Sequence, residues 1–209
     1  MAERLRPYVK GTLSMFSGET NVDLGGRLVI LNVEALRQAG GQELQTVAYM
    51  MIGEHIRQRL MATRRRKLVG IDEAHILFAR RDTAEFVSGL SRTAAKVGGR
   101  TMLITQSITD LIGDPKTGIR AAGEQPARVY LGQVGTTVLL RNDKSDDVEL
   151  IAGLFGLSDA EAEGILSAER GEGLLIAGDE RVQVLVMAPD VLHPLIVTDF
   201  VPDEAPEEE

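Results

Sequence analysis

The chain contains no cysteine and no tryptophan, and aromatic residues make up 4% of its 209 residues. The absence of cysteine excludes disulfides and thiolate metal sites. Scarce aromatic side chains argue against a platform on which single-stranded nucleic acid stacks its bases. No apolar run approaches the roughly 18 to 20 residues that a membrane-spanning helix needs, and residues 1–10 lack the apolar core of a signal peptide. We therefore expect a cytoplasmic protein that reaches the inner face of the cell membrane only through partners.

Basic residues are fewer than acidic ones, with 23 Lys and Arg against 31 Asp and Glu, and the net charge is −8. Residues 200–209 carry five acids and no base, so we predict a folded region over 1–199 and a disordered acidic tail over 200–209. Without the tail, 26 of the 31 acids remain against 23 Lys and Arg. The folded part has no basic surplus, and its composition does not indicate nucleic acid binding.

Apolar runs alternate with amphipathic segments along the chain. Short apolar runs over 27–32, 67–71 and 101–105 predict strands, and the run over 67–71 is typical of a buried parallel strand. Apolar residues at helical spacing predict a helix over about 42–62. This alternation predicts an α/β fold, a mostly parallel sheet flanked by helices, with its sites at the carboxyl ends of the strands.

Turn and capping residues mark other elements. Three helix starts carry capping residues, at Asp82, Ser145 and Ser158. The runs over 173–176 and 182–187 flank Gly178-Asp179 and predict a closing β-hairpin.

Two adjacent acids, Asp72 and Glu73, follow the strand over 67–71 directly. A rigid strand tip with two carboxylates suits nucleotide hydrolysis. Asp72 could hold Mg²⁺ through water, since Mg²⁺ keeps much of its hydration, and Glu73 could orient and polarise the water that attacks the γ-phosphate. The alternative is a strand that leaves the core into a charged loop.

Gln106 follows the next strand, 33 residues after Glu73. One strand–helix–strand unit places its side chain beside Asp72 and Glu73 at the same sheet edge. A neutral amide there can bind the γ-phosphate or the attacking water. The alternative is a solvated amide at the start of a helix.

These motifs and several downstream segments resemble the C-terminal half of the conjugative-transfer and type IV secretion ATPases of the TraC/TrbE type, in the HerA/FtsK superfamily of P-loop NTPases. The resemblance covers nearly the whole chain except the acidic tail. The segments that carry it are 20–24, 71–75, 90–99, 104–107, 138–142, 154–158 and 168–175.

The resemblance implies a RecA-like P-loop NTPase core that uses ATP and Mg²⁺. It implies a hexameric or ring-forming motor that assembles a secretion channel or moves DNA or protein through it. Its partners would be further subunits of the same ATPase and channel proteins. By this likeness Asp72 is the Walker B acid on the metal side, Glu73 the catalytic base and Gln106 the sensor.

Rings of this family complete each site with a positive residue from the neighbouring subunit. Arg170, Arg92 and Lys96 are the candidates. A guanidinium suits this role because it stays charged and binds phosphate oxygens bidentately. The alternative for each residue is a surface charge.

Two features depart from the family pattern. The motif G-x-x-x-x-G-K-[ST] is absent, and the family's phosphate loop lies upstream of the region that begins here. We therefore expect a fragment, one piece of a split gene or a degenerate relative, with no appreciable ATPase activity in these 209 residues alone. His75 stands where the family often has Trp, and we expect it to pack near the site and not to ligate a metal.

Three functions remain open. The first is a partial motor ATPase domain of a conjugation or type IV secretion system. The second is a DNA translocase of the HerA/FtsK type, for which the basic run over 64–67 could contact nucleic acid, although it also suits a solvated helix end. The third is a non-catalytic interaction module without a phosphate loop.

Overall fold

The computed structural model describes residues 41–114, 116–118 and 120–192, the segment 25–33, and a few positions before it (6, 9, 10, 14 and 17–19). The predicted tail over 200–209 and the family-like segment over 20–24 lie outside the described residues. The chain divides into two compact units, residues 1–106 with 110–129 and residues 107–109 with 130–209.

The described helices and strands follow one another in the order α1 Gln42–Ala62, β1 Lys67–Ile71, α2 His75–Phe78, α3 Arg81–Lys96, β2 Gly99–Leu103, α4 Thr109–Ile112, α5 Glu124–Leu131, β3 Thr136–Leu140, α6 Ser145–Phe155, α7 Asp159–Ser167, β4 Glu172–Ala177 and β5 Glu180–Leu185. A 3-10 turn over Asp190–Leu192 follows. The predicted helix over 42–62 and strand over 67–71 are confirmed at both ends. The strand predicted over 101–105 lies two residues earlier.

In the first unit, β1 and β2 pair in parallel, with Lys67 opposite Gly99 and Ile71 opposite Leu103. The helices α1 and α3 pack on one face of this pair through a core of apolar side chains. The core consists of Leu60, Leu90 and Ala94, with Ile56, Val69 and Phe86 against it. The predicted α/β class, with parallel strands flanked by helices, is confirmed.

The other face of this parallel pair is open, which differs from the fully buried strand expected from the sequence. Leu68 is 64% exposed, Met102 44% and Ile104 47%. The cause is that α1 and α3 cover the same face, and no described element covers the opposite one. Apolar composition alone cannot reveal which face of a strand stays uncovered.

The strand predicted over 27–32 is wrong. Residues 25–33 contain only bends and irregular backbone, and Leu28 and Ile30 are 81% and 82% exposed. An apolar run becomes a strand only when a neighbouring strand accepts and donates its hydrogen bonds, and no described strand pairs with this segment.

Two predicted helix caps are also wrong. The N-cap of α3 is Arg80, without a capping side chain, and Asp82 lies inside the first turn, where its charge still suits the helix dipole. The N-cap of α6 is Lys144. Its amide donates to Asn142 Oδ1 at 2.9 Å, so an asparagine turn organises this helix start in place of the serine.

In the second unit, β3, β4 and β5 form an antiparallel sheet in that order. The hairpin between β4 and β5 is confirmed, with Gly178 at φ 62° in its two-residue turn. The capping box of α7 is confirmed as well, because Ser158 N donates to Glu161 Oε2 at 2.7 Å and Glu161 N donates to Ser158 Oγ at 3.3 Å.

Arg181 of β5 fixes this sheet to the helices. Its guanidinium donates to the carbonyl oxygens of Phe155 and Gly156 at 2.8 and 3.0 Å and to Glu161 Oε2 at 2.8 Å. The α6 C-terminus and the α7 N-terminus therefore meet at one cation, which satisfies carbonyls that helix ends leave unpaired.

Candidate functional site

The two parallel strands continue to bind each other beyond their last paired residues. Ile104 N donates to Ile71 O at 2.9 Å, and Ala74 N donates to Ile104 O at 2.9 Å. Ala74 is fully buried. The segment Asp72-Glu73 is thus held at both ends against the end of β2, and its side chains project from a fixed backbone.

Glu73 takes an unusual backbone conformation, with φ at 48°. It is the single non-glycine residue with positive φ in the described part of the chain. Such a conformation costs on the order of 1 kcal/mol for a residue with a Cβ. Glu73 N donates to Asp72 Oδ1 at 2.9 Å, and Ile76 N donates to Glu73 O at 3.0 Å. These bonds hold the turn that aims the glutamate side chain.

The side chains of Glu73 and Gln106 are in direct contact. Gln106 Nε2 donates to Glu73 Oε1 at 2.5 Å. The structure therefore places the acid pair and the amide at the same edge of the parallel pair, as the sequence analysis expected. The bond lies at the surface, so a ligand could reach either partner.

His75 is part of this group, as expected from the sequence for a residue packed near the site, but its contact with Glu73 was not predicted. Its Nδ1 lies 3.2 Å from Glu73 Oε2. Both atoms are shielded from solvent, and neither makes a hydrogen bond to any described group, so the contact is a close approach and not a formed hydrogen bond. Glu73 makes this contact from a backbone with positive φ, a conformation that the sequence did not predict. The available signal was the position of His75, two residues after the acid.

Asp72 is exposed, and its Oδ1 accepts the Glu73 amide. No group of three or more His, Asp and Glu side chains in the described residues could hold a metal ion by itself. One exposed carboxylate fits Mg²⁺, because this ion takes one or two protein carboxylates and fills its remaining positions with water and phosphate oxygens.

The candidate cations lie on two different units. Arg92 and Lys96 are exposed on α3 of the first unit. Arg170 is exposed in the turn before β4 of the second unit. In the basic run over 64–67, Lys67 Nζ donates to the carbonyl oxygens of Leu60 and Thr63. This lysine therefore caps the end of α1, as the alternative of a solvated helix end anticipated.

Within the described residues, no helix is long and apolar enough to cross a membrane. The fold belongs to the class of α/β proteins in which helices flank parallel strands, and the acid pair and amide lie at the strand ends.

The family model of the TraG P-loop domain matches residues 1–175, more than half of the chain. The chain belongs to this family, that of the conjugative-transfer and type IV secretion ATPases, and the resemblance stated from the sequence is confirmed.

A solved structure of VirB4 of Thermoanaerobacter pseudethanolicus has a similar fold, with a TM-score of 0.75 and 24% sequence identity. The match covers 90% of this chain and 49% of the VirB4 chain, so this chain spans about half the length of that relative. The search among curated proteins found no match.

Proposed function

We propose that this chain supplies the Walker B acid, the catalytic base and the sensor of a motor ATPase in a conjugation or type IV secretion system. The contact between Gln106 Nε2 and Glu73 Oε1 carries the proposal. It joins a carboxylate and a neutral amide at the ends of adjacent parallel strands, where α/β proteins bind their ligands. Membership of the TraG P-loop domain family supports it.

In the arrangement described, Gln106 occupies the Glu73 oxygen that would accept a proton from the attacking water. Binding of a nucleotide offers the amide a new partner, the terminal phosphate. When Gln106 turns to that phosphate, Oε1 becomes available to the water. The pair thus links the presence of the phosphate to the availability of the base.

Asp72 would hold Mg²⁺ through water on the other side of the tip, and the ion would neutralise charge on the phosphates. Its carboxylate is exposed and fixed at Oδ1 by the Glu73 amide. That bond fixes the orientation of the carboxylate and leaves Oδ2 available to the hydrated ion.

The residue acting in trans, the source of the phosphate loop and the domain bounds are also proposals. A positive residue in trans, Arg170 or Arg92, would complete each site in a hexamer, and both are exposed as this role requires. Because the sequence has no G-x-x-x-x-G-K-[ST] motif, the phosphate loop would come from a segment outside these 209 residues. We propose residues 1–199 as the partial ATPase domain and 200–209 as a tail, at the inner face of the membrane through channel partners.

The test is Glu73→Gln in the protein joined to its phosphate-loop segment. Loss of a general base lowers turnover by about 100- to 10,000-fold, measured as phosphate release at saturating ATP. The control is Glu85→Gln, since Glu85 is an exposed glutamate bound to Arg81 on α3. Unchanged turnover in Glu73→Gln would refute the assignment of the base.

A non-catalytic interaction module is the second candidate, favoured by the missing phosphate-loop motif and by open apolar surface. Val138, Leu140 and Val182 lie on one face of the antiparallel sheet, and each is about half exposed. Binding of secretion partners by a protein that binds no Mg²⁺–nucleotide, even when joined to its phosphate-loop segment, would favour this function. DNA-stimulated turnover with a steep salt dependence would instead favour a DNA translocase.

A further inference from the structure

The carboxylate of Glu73 is approached from two sides by two different side chains. Gln106 Nε2 donates to Oε1, and His75 Nδ1 lies 3.2 Å from Oε2. The facing atoms of His75 and Glu73 are both buried, and neither makes a hydrogen bond to any described group, each other included. Such atoms are costly unless they satisfy each other. A small rotation of either side chain would align an Nδ1–H with Oε2 across the 3.2 Å that separates them and would satisfy both atoms.

The two partners differ in how firmly they are tied to Glu73. Gln106 comes from the end of the neighbouring strand and is exposed. His75 follows Glu73 by two residues in the same turn and is the first residue of α2, where its carbonyl accepts from Ala79 N at 2.8 Å. The amide can therefore leave Glu73 by a side-chain rotation, whereas the imidazole stays with the turn.

We propose that His75 is a positioning residue for the catalytic base. Its Nδ1–H donates to Glu73 Oε2 and holds the carboxylate in place when Gln106 leaves Oε1 for the terminal phosphate. This inference rests on the proposed function, since it requires Glu73 to be the base. It gives a role to the imidazole that packs against Glu73. The proposed roles of Asp72, Glu73 and Gln106 do not by themselves require a histidine at this position.

The proposal predicts a loss confined to turnover. Once Gln106 has left Oε1, a Glu73 carboxylate without a partner at Oε2 can rotate. Its Oε1 then faces the attacking water for a smaller fraction of the time. Misplacement of a reacting group by about 1 Å costs on the order of 100-fold in rate. In the proposed site the phosphate loop, Gln106 and the Mg²⁺ at Asp72 would bind ATP and His75 would not, so the KM for ATP should stay within about twofold of the wild-type value while kcat falls.

The test compares three substitutions in the protein joined to its phosphate-loop segment. His75→Asn keeps an N–H donor near the position of Nδ1, and we expect it to retain kcat within a few-fold. His75→Phe keeps the ring volume and loses the donor, and His75→Gln carries its amide near the position of Nε2. We expect both to lower kcat by about 10- to 100-fold. A purely structural role predicts the reverse order, with Phe tolerated and Asn impaired.

His55 on α1 provides the matched control, because His55→Phe and His55→Asn make the same changes away from the site. Melting curves of all variants identify any that unfold at the assay temperature, and a misfolded Phe variant leaves the Asn–Gln comparison intact. Equal kcat in the Asn and Gln variants, or a higher value for Gln, overturns the inference. Glu73→Gln separates the two proposals, since normal turnover there refutes the function itself. Loss of turnover in Glu73→Gln together with normal turnover in His75→Gln and His75→Phe refutes the role of His75 alone.

Discussion

Gln106 and Glu73 share a side-chain hydrogen bond of 2.5 Å although 33 residues separate them in the sequence. The bonds from Ile104 N to Ile71 O and from Ala74 N to Ile104 O hold the two strand ends together. The contact is therefore a property of the parallel pair and of the turn that follows it. On the proposed function, it keeps the Glu73 carboxylate occupied by the Gln106 amide until a competing partner for the amide arrives.

Removing the Gln106 amide, the proposed sensor, should slow turnover without abolishing nucleotide binding. Gln106→Ala frees Oε1 permanently but removes the group that would bind the terminal phosphate. We expect kcat to fall by about 100-fold, the usual cost of losing one donor to a developing charge, with a smaller change in KM. Single-turnover phosphate release measures the chemical step. Gln58→Ala on α1 is the control, because Gln58 also donates to a glutamate, Glu54. A Gln106→Ala protein with wild-type kcat would remove the sensor from the mechanism.

Asp72→Asn should weaken the dependence on Mg²⁺ and leave the turn intact. The Asn side-chain oxygen can still accept the Glu73 amide, so the backbone geometry is preserved. Loss of the charge should raise the Mg²⁺ concentration for half-maximal turnover by about 10- to 100-fold, as for other residues that bind a metal indirectly. A Mg²⁺ titration at fixed ATP measures this shift, with Asp82→Asn on α3 as the control. An unchanged midpoint would place the metal elsewhere.

Two glycines of the second unit should respond in opposite ways to alanine. A Cβ at Gly173 would collide with the backbone oxygen of Leu139 on the paired strand, whereas a Cβ at Gly153 in α6 meets no atom within 4 Å. We expect Gly173→Ala to lower the free energy of unfolding by about 1–3 kcal/mol or more. We expect Gly153→Ala to raise it by about 0.5–1 kcal/mol. Urea unfolding followed by circular dichroism measures both, and a Gly173→Ala protein as stable as the wild type would contradict the strand pairing.

The capping box of α7 should make stability depend on acid pH. The Ser158 backbone amide, its hydroxyl and the nearby Arg181 hold the pKa of Glu161 below its ordinary value of 4.5. A lowered folded pKa means that this stabilisation is complete above about pH 4.5 and is lost as the pH falls through the folded value. The stability difference between wild type and Glu161→Gln should therefore be largest at pH 7 and shrink toward pH 3.

The serine of the same box gives an independent measurement. Ser158→Ala should cost about 1 kcal/mol at pH 7, the usual value of an N-cap. Ser167→Ala is a suitable comparison, since that hydroxyl donates only to the Glu163 carbonyl within the same helix. Equal effects of the two substitutions would argue against the cap as the source of stability.

Elements with a long or chemically explicit pattern were predictable from the sequence. The helix over 42–62 repeats its apolar positions for about five turns, and the neighbourhood of Glu73 and Gln106 follows from the rule that parallel strands end at one edge. The strand expected over 27–32 failed because pairing, and not composition, decides whether an apolar run forms a strand. The contact of His75 with Glu73 was not predictable, because Glu73 makes it from a left-handed backbone conformation that glutamate rarely adopts.

The left-handed backbone at Glu73 has a consequence for laboratory evolution. Glycine adopts φ near 48° without the clash that a Cβ brings, so a selection for heat tolerance alone would favour Glu73→Gly. On the proposed function, such variants would be more stable and would have lost the catalytic base. If Glu73 is the proposed base, selection for thermal stability therefore has to include selection for turnover in every round, because the first stabilising substitutions would otherwise remove this glutamate.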